Sequence, residues 1–436
     1  MKRAILALAF AWACARAPES NSATDNSLSA ARPWTPSERR IVASLTPIPT
    51  LPPSPSNRFA NDNRAAILGQ MWFFDGGFSA SGKISCASCH QPEKWFTDGQ
   101  KQAHGVGQTA MNAPTLLGAQ WLPYLFHDGR KDSQWAQALG PMEADAEHGY
   151  DRLALAQRIF RHYRPEYEAL FGPLPPLDDH QRFPLHARPV PLGSTHPHQQ
   201  AWQTMTPADQ QAVNTVLANF GKAIAAYERL LQPGEAPFDR FARKFLANDP
   251  AAMQEMPASA VRGLRAFIGK AQCVNCHNGP LFTDRAFHNL GLPAVPGTNG
   301  VEVGRSLGAQ TVKADEFRCG TPYADTDKCE ELRFLNPKFE DFLGAFKTPT
   351  LRNVAKTAPY MHAGHFATLA EVVAFYRTLP GQAQIGHREL VLTLLDPEVN
   401  ADDLVAFLEA LTGPLPQAEL LHPPRPLPPP DDVTPN

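Results

Sequence analysis

Two copies of one five-residue pattern constrain this chain more than any other feature: Cys86-Ala87-Ser88-Cys89-His90 and Cys273-Val274-Asn275-Cys276-His277. C-x-x-C-H is the attachment pattern of c-type haem. The two thiols bond to the haem vinyl groups, and the adjacent His lies under the iron as its proximal ligand. One copy alone also fits a zinc half-site or a redox pair. Two copies behind an export-like N-terminus favour two covalently bound haem c groups. His90 and His277 are then iron ligands, and Cys86, Cys89, Cys273 and Cys276 are the attachment points. Each haem supplies much of the core around it. Strand signals are few, so the expected fold is mainly α: two cytochrome-c-like haem domains with long ordered loops.

The chain has 436 residues, enough for two domains of ordinary size. Its net charge of −3 gives no nucleic-acid footprint and no general attraction to membranes. Lys2 and Arg3 precede an apolar run from Ala4 to Ala13, which reads as an export signal over residues 1–20. Cys14 follows directly, so two outcomes stay open: simple cleavage, or lipidation at Cys14 with membrane anchoring. No later segment is long and apolar enough to span a bilayer. The expected compartment is the periplasm. Cys319 and Cys329 flank a Gly/Pro/Asp-rich loop and should form a disulfide there.

Residues 21–57 read as a Ser/Pro-rich tether, 58–232 as an N-terminal haem domain and 233–415 as a C-terminal one. A Pro/His-rich insertion at 172–200 carries His180, His186, His196 and His198; loose metal binding is one reading, but the spacing fits no defined site, so a surface insertion is favoured. A helix pattern from Asp209 to Leu231 should bridge the two domains, and 416–436 is a Pro-rich tail. Between Phe366 and Pro380 a capping box (Thr368, Glu371) opens a helix. Its Leu369, Val372, Val373 and Tyr376 share one face. Pattern alone favours Tyr376 as a core residue bonded to a carbonyl, with an iron ligand as the alternative.

Taken together, the motifs resemble the bacterial di-haem cytochrome c peroxidase/MauG superfamily. The matching text is Cys86–His90, Asn112-Ala113-Pro114-Thr115, Asp128-Gly129-Arg130, Gln137-Ala138-Leu139-Gly140-Pro141, Cys273–His277, Lys347 to Val354 and Thr357 to His362. The resemblance implies an enzyme with a peroxide-reacting first haem. Glu147 would be its acid/base, Gln137 would orient peroxide, and Pro141 would shape the pocket. It also implies a calcium ion between the haems, held by Asn112, Thr357 and Pro359. Ordinary members carry Met fourteen residues after the His of the T-A-P-Y-x-H segment, whereas MauG-type members carry Tyr. Fourteen residues past His362 stands Tyr376, which makes it the expected distal ligand of the second haem.

Met raises a haem potential, while a phenolate lowers it and stabilises oxidised iron. The resemblance therefore favours an oxidase that uses hydrogen peroxide to reach a high-valent two-haem state and oxidise Trp of a partner protein. Residues 315–334, 344–347 and 386–390 are similar to the MbnH-like subgroup, whose members pair with a secreted copper-binding partner. The alternatives are a periplasmic cytochrome c peroxidase fed by a small cytochrome or cupredoxin, and a di-haem electron carrier. The relay Trp of ordinary members is replaced by His127, with Trp121 and Trp135 as substitutes, and the surface Trp of MauG is Ala271 here. His104 stands where peroxidases can carry a switchable distal His.

Overall fold

The computed structural model describes residues 32–190, 196–293 and 301–431. The export-signal and Cys14 readings lie outside these residues. The fold is mainly α, as expected; among the described residues one sheet pairs Phe287–His288 with Phe346–Lys347 antiparallel. Among the described residues no helix is long and apolar enough to cross a membrane.

The first large hydrophobic cluster is built on the Pro207–Glu228 helix, most of whose residues are buried. Thr206 caps it, accepting a hydrogen bond from the Asp209 amide at 3.2 Å. The Asn63–Phe74 helix crosses it at Gly69, where a Cβ would come within 1.9 Å of the Ala223 carbonyl oxygen. Only glycine allows that backbone approach. Trp72 then stacks on Phe220 at 5.1 Å, with Phe78 and Tyr163 at its edges. The 207–228 helix is thus the spine of this cluster and not the bridge the sequence suggested. From Val216 to Glu228 every residue is buried, which marks this part of the helix as enclosed on every side.

The second cluster repeats the device. The Ala258–Ile268 helix meets the Ala401–Glu409 helix at Gly263, where a Cβ would lie 1.9 Å from the Asp403 carbonyl oxygen. Phe238, Phe267, Phe282 and Phe407 fill the space beside that crossing. Each cluster also holds one buried bidentate pair. Arg158 donates to Asp75 at 2.9–3.0 Å, where the Tyr163 hydroxyl also donates at 2.7 Å. Arg352 donates to Asp239 at 2.8 and 2.9 Å.

Three segments differ from their sequence reading. Residues 32–57, read as a tether, hold a Pro36–Ser44 helix, and Val42, Leu45 and Trp34 pack into the second cluster. The tail crosses the other way: Leu420, Leu421 and Leu427 pack on the first cluster, and Arg158 donates to the Pro429 carbonyl. The insertion is anchored rather than peripheral, because Leu177, Phe183 and Ala187 are buried in the first cluster. Sparse apolar residues in a Pro-rich background carry no period, so none of these contacts can be read from pattern. Cys319 and Cys329 form the expected disulfide.

Asp75 neutralises Arg158 where neither reaches water. Asp75→Ala should therefore destabilise the haem-loaded protein by about 3–5 kcal/mol in urea denaturation; a loss below about 1 kcal/mol would show the pair to be dispensable.

Candidate functional site

The two C-x-x-C-H copies sit in near-identical local frames. The His90 Nδ1 lies 3.1 Å from the Phe96 carbonyl oxygen, and the His277 Nδ1 lies 2.9 Å from that of Phe282. Each contact fixes a tautomer whose Nε2 carries the lone pair, as an iron ligand requires. Both Phe residues have positive φ, 59° and 52°. Each opens a Phe-Thr-Asp triplet: Phe96-Thr97-Asp98 and Phe282-Thr283-Asp284. A Thr clasps each turn from outside, Thr115 Oγ1 donating to the Trp95 carbonyl and Thr350 Oγ1 to that of Leu281, both at 2.6 Å. The frame beyond the pentapeptide is therefore a repeat that the sequence carried in Phe-Thr-Asp and Pro-Thr.

His90 and His277 line one continuous cavity together with Cys89, Cys273 and Cys276. Cys86 packs against the first hydrophobic cluster beside it. None of the four is in a disulfide, unlike Cys319 and Cys329. Four cysteines outside any disulfide and two oriented imidazoles on a mostly apolar cavity are the donor set that two thioether-linked haems need. When bound, such haems supply redox-active iron on either side of this cavity.

On the His90 side, Gln137, Pro141 and Glu147 all line this cavity, joined by Phe126 and Arg130. Gln137 ends the Gln134–Gln137 helix and Pro141 lies in the next one, Gly140–Glu143. Glu147 hangs on a loop clamped by its own carbonyl, which accepts from the Val106 amide at 2.8 Å. Burial pushes the Glu147 carboxyl above the usual carboxylate range, and the Arg130 guanidinium pulls it partly back. Arg130 itself lies 3.5 Å over the Phe126 ring. The His104 side chain is exposed and absent from the cavity wall; its carbonyl, 3.6 Å from the Cys89 Sγ, is what faces that motif.

On the His277 side, Leu369, Val372, Val373 and Tyr376 of the Leu369–Thr378 helix line the cavity. The capping box is formed, with the Glu371 amide donating to the Thr368 Oγ1 at 3.1 Å. Among the described residues no hydrogen bond reaches the Tyr376 hydroxyl, so the carbonyl partner that pattern favoured is not there. Burial pushes this phenol strongly upward.

Between the two sides stand residues from both halves of the chain. His127 lines the cavity, with its Nε2 3.2 Å from the Asn112 carbonyl and its own carbonyl accepting from the Lys347 amide at 2.8 Å. Burial first, then the neighbouring His362 and Lys347, pushes its pKa down to about 3, so it is a neutral imidazole. Trp121 and Trp135 are buried away from the cavity, donating to the Thr50 carbonyl and the Ser56 Oγ. Ala271 is buried beside Cys273 and also lines the cavity. Lys347 and His362, which were read only as parts of motifs, are cavity residues too, and burial lowers Lys347 to about 8. Asn112 Nδ2 lies 3.0 Å from the carbonyl oxygens of both Pro359 and Met361, and its Oδ1 is buried without a partner. Thr357 is on the same wall.

The separate frames make haem attachment separable. The double variant Cys86→Ala/Cys89→Ala should carry one haem per chain instead of two, measured by pyridine haemochrome against protein mass.

A family model described as di-haem cytochrome c peroxidase matches residues 63–246. Cytochrome-c peroxidase IdrP1 of Denitromonas iodatirespirans is 34% identical over 84% of this chain and 86% of its own length. Methylamine utilization protein MauG of Methylorubrum extorquens is 30% identical over 79% of this chain and 77% of its own. The fold is similar to that of the diheme peroxidase BthA from Burkholderia thailandensis, with a TM-score of 0.58 at 22% identity over 85% of this chain and 90% of that one. These relatives support the superfamily and give no specific support to an MbnH-like subgroup. The chain belongs to the di-haem cytochrome c peroxidase/MauG superfamily, an enzyme with two covalently bound c-type haems and a peroxidase-type activity.

Proposed function

We propose that this enzyme reduces hydrogen peroxide on the His90 side of the cavity, with electrons entering from a small cytochrome or cupredoxin on the His277 side. Glu147 carries this reading: it is a half-buried carboxyl on the same wall as Gln137, Pro141 and Arg130. Its carboxylate takes the proton of bound peroxide and returns it to the leaving oxygen. Gln137 orients peroxide, Pro141 limits the pocket, and Arg130 offsets charge as it develops. His127, held between Asn112 and Lys347, is the bridging residue between the two sides. The reading named second from sequence now leads, because peroxidase relatives such as IdrP1 match at least as well as MauG. The Cys319–Cys329 disulfide fits an oxidising periplasm.

A second reading rests on Tyr376. Its hydroxyl has no protein partner, and its burial favours the neutral phenol. A cation next to the ring is what would hold it as phenolate. His277 and Tyr376 would then be the two protein ligands of the second iron, and the low potential would suit oxidation of Trp on a secreted, copper-binding partner protein. The same cavity supports a calcium ion at Asn112. A half-turn of the amide aims Oδ1 at the Pro359 carbonyl, an all-oxygen arrangement that a hard cation reconciles. Thr357 and Pro359 would complete it.

Glu147→Gln should slow the reaction with peroxide by roughly 10²–10⁴-fold in stopped-flow mixing, with both haems retained. The base is active when ionised, so the wild-type rate should fall as pH drops through its pKa. Burial raises that pKa, so the fall begins above the ordinary 4.5. Glu147→Gln should lack this limb.

Tyr376→Phe should abolish a low-spin His/Tyr signal in the electron paramagnetic resonance of the resting enzyme; an unchanged signal rules the ligand out. Fast peroxide-dependent oxidation of reduced cytochrome c by wild-type enzyme supports the leading reading. Slow donor turnover, together with added oxygen on a Trp of the partner by intact mass, supports the second.

Chelation followed by calcium readdition should remove and restore activity. Asn112→Ala should respond to neither treatment.

A further inference from the structure

The insertion carries a second cluster of donor atoms, remote in role from the haem cavity. Asp151, at the N-cap of the Arg152–His162 helix, accepts from the Ala154 and Ala187 amides at 2.9 and 3.1 Å through Oδ1. Its other oxygen, Oδ2, lies 2.8 Å from the His186 Nδ1. The His198 ring stacks parallel on His186, with centroids 5.3 Å apart and 10° between planes. His196 meets His198 edge-on at 4.7 Å. One donor atom from each of Asp151, His186 and His198 lies within 4.8 Å of the others. The His198 Nδ1 is buried and has no hydrogen-bond partner. A buried ring nitrogen left unpaired costs free energy unless something accepts its lone pair or its proton.

We propose that Asp151, His186 and His198 form a binding site for a borderline divalent cation of the Zn²⁺ class. Two imidazoles and one carboxylate are the nitrogen and oxygen donors such ions take, and three protein ligands leave a fourth position for water. Two donors on a tetrahedral zinc stand roughly 3.3 Å apart, so small side-chain rotations close the present spacing. His186 is the exposed member of the set, which gives the ion an entry path. The proton between Asp151 and His186 leaves as the ion binds.

The site has a structural consequence for the peroxide side. Next to Asp151, Arg152 pairs with Glu143 at 2.6 Å and with Glu316 at 2.8 Å. Between the two ligand histidines of the insertion, Arg188 donates to the Glu143 carbonyl and pairs with Asp145 at 2.6 Å. A cation joining Asp151 to His186 and His198 therefore fastens the insertion onto residues 143–145, the start of the loop that ends at Glu147. The spacing of these histidines fits no defined site because the third ligand comes from a helix cap outside the insertion.

The test is isothermal titration of Zn²⁺ into the haem-loaded, calcium-saturated enzyme. One saturable equivalent per chain is expected. His186→Ala and His198→Ala should each weaken it at least tenfold, and the exposed His387→Ala should leave it unchanged. Asp151→Asn keeps a neutral acceptor for the helix cap, so it should weaken Zn²⁺ binding while the haem spectrum and melting temperature stay at wild-type values. X-ray absorption at the zinc edge should report two imidazole nitrogens. Absence of saturable binding, or binding that survives the His186→Ala/His198→Ala double variant, would overturn the site and leave the cluster as an Asp–His hydrogen bond with a stacked neighbour.

Discussion

The contact on which the rest of this molecule depends is a hydrogen bond between an imidazole nitrogen and a backbone carbonyl, made twice. His90 to Phe96 and His277 to Phe282 set which nitrogen of each ring bears the lone pair and which way it faces. A rotating imidazole would present a proton as often as a lone pair. That carbonyl belongs to a residue in the left-handed backbone region, and a Thr hydroxyl from a Pro-Thr turn donates to the carbonyl of the residue just before it. Bulky residues do not adopt positive φ without surrounding contacts to enforce it. Here the surroundings are Phe rings packed into, or against, the two hydrophobic clusters, so core packing reaches the ligand through one carbonyl.

The wall between the two sides is assembled from both halves. The 346–348 segment pairs with 286–288 and takes the His127 carbonyl on its Lys347 amide. The Asn112 side chain reaches the 359–361 carbonyls, and the His362 carbonyl accepts from the Asn112 amide at 3.0 Å. The termini add a second lock of opposite sense, the N-terminal segment on the second cluster and the tail on the first. A fixed distance between two redox groups needs such cross-ties, because a single linker would let the halves move apart.

The haem motifs, the disulfide, the capped helix that carries Tyr376, and the Gln137–Glu147 spacing were legible because each is local. Their chemistry lies within a few residues or at one helical period. What pattern could not decide was the company each side chain keeps. Tyr376 read as a carbonyl-bonded core residue by periodicity, yet it lines the cavity and its hydroxyl has no such partner among the described residues. His127 could be named as a replacement for a relay Trp, but part of what lowers its pKa is His362 and Lys347, over two hundred positions away. Arg130 and Lys347 passed as motif letters, since a charged residue shows its burial only when its neighbours are in place.

The sequence by itself determined the cofactor class, the helical fold class and the superfamily, because covalent attachment and capping are written in contiguous residues. Tertiary structure alone decided that the tether and tail are parts of two cores, that the 207–228 helix is a spine, and that two histidines of the insertion meet Asp151. Those outcomes depend on sparse apolar contacts and on donor atoms far apart in the chain. Burial and proximity are properties of the folded arrangement, so no local period encodes them.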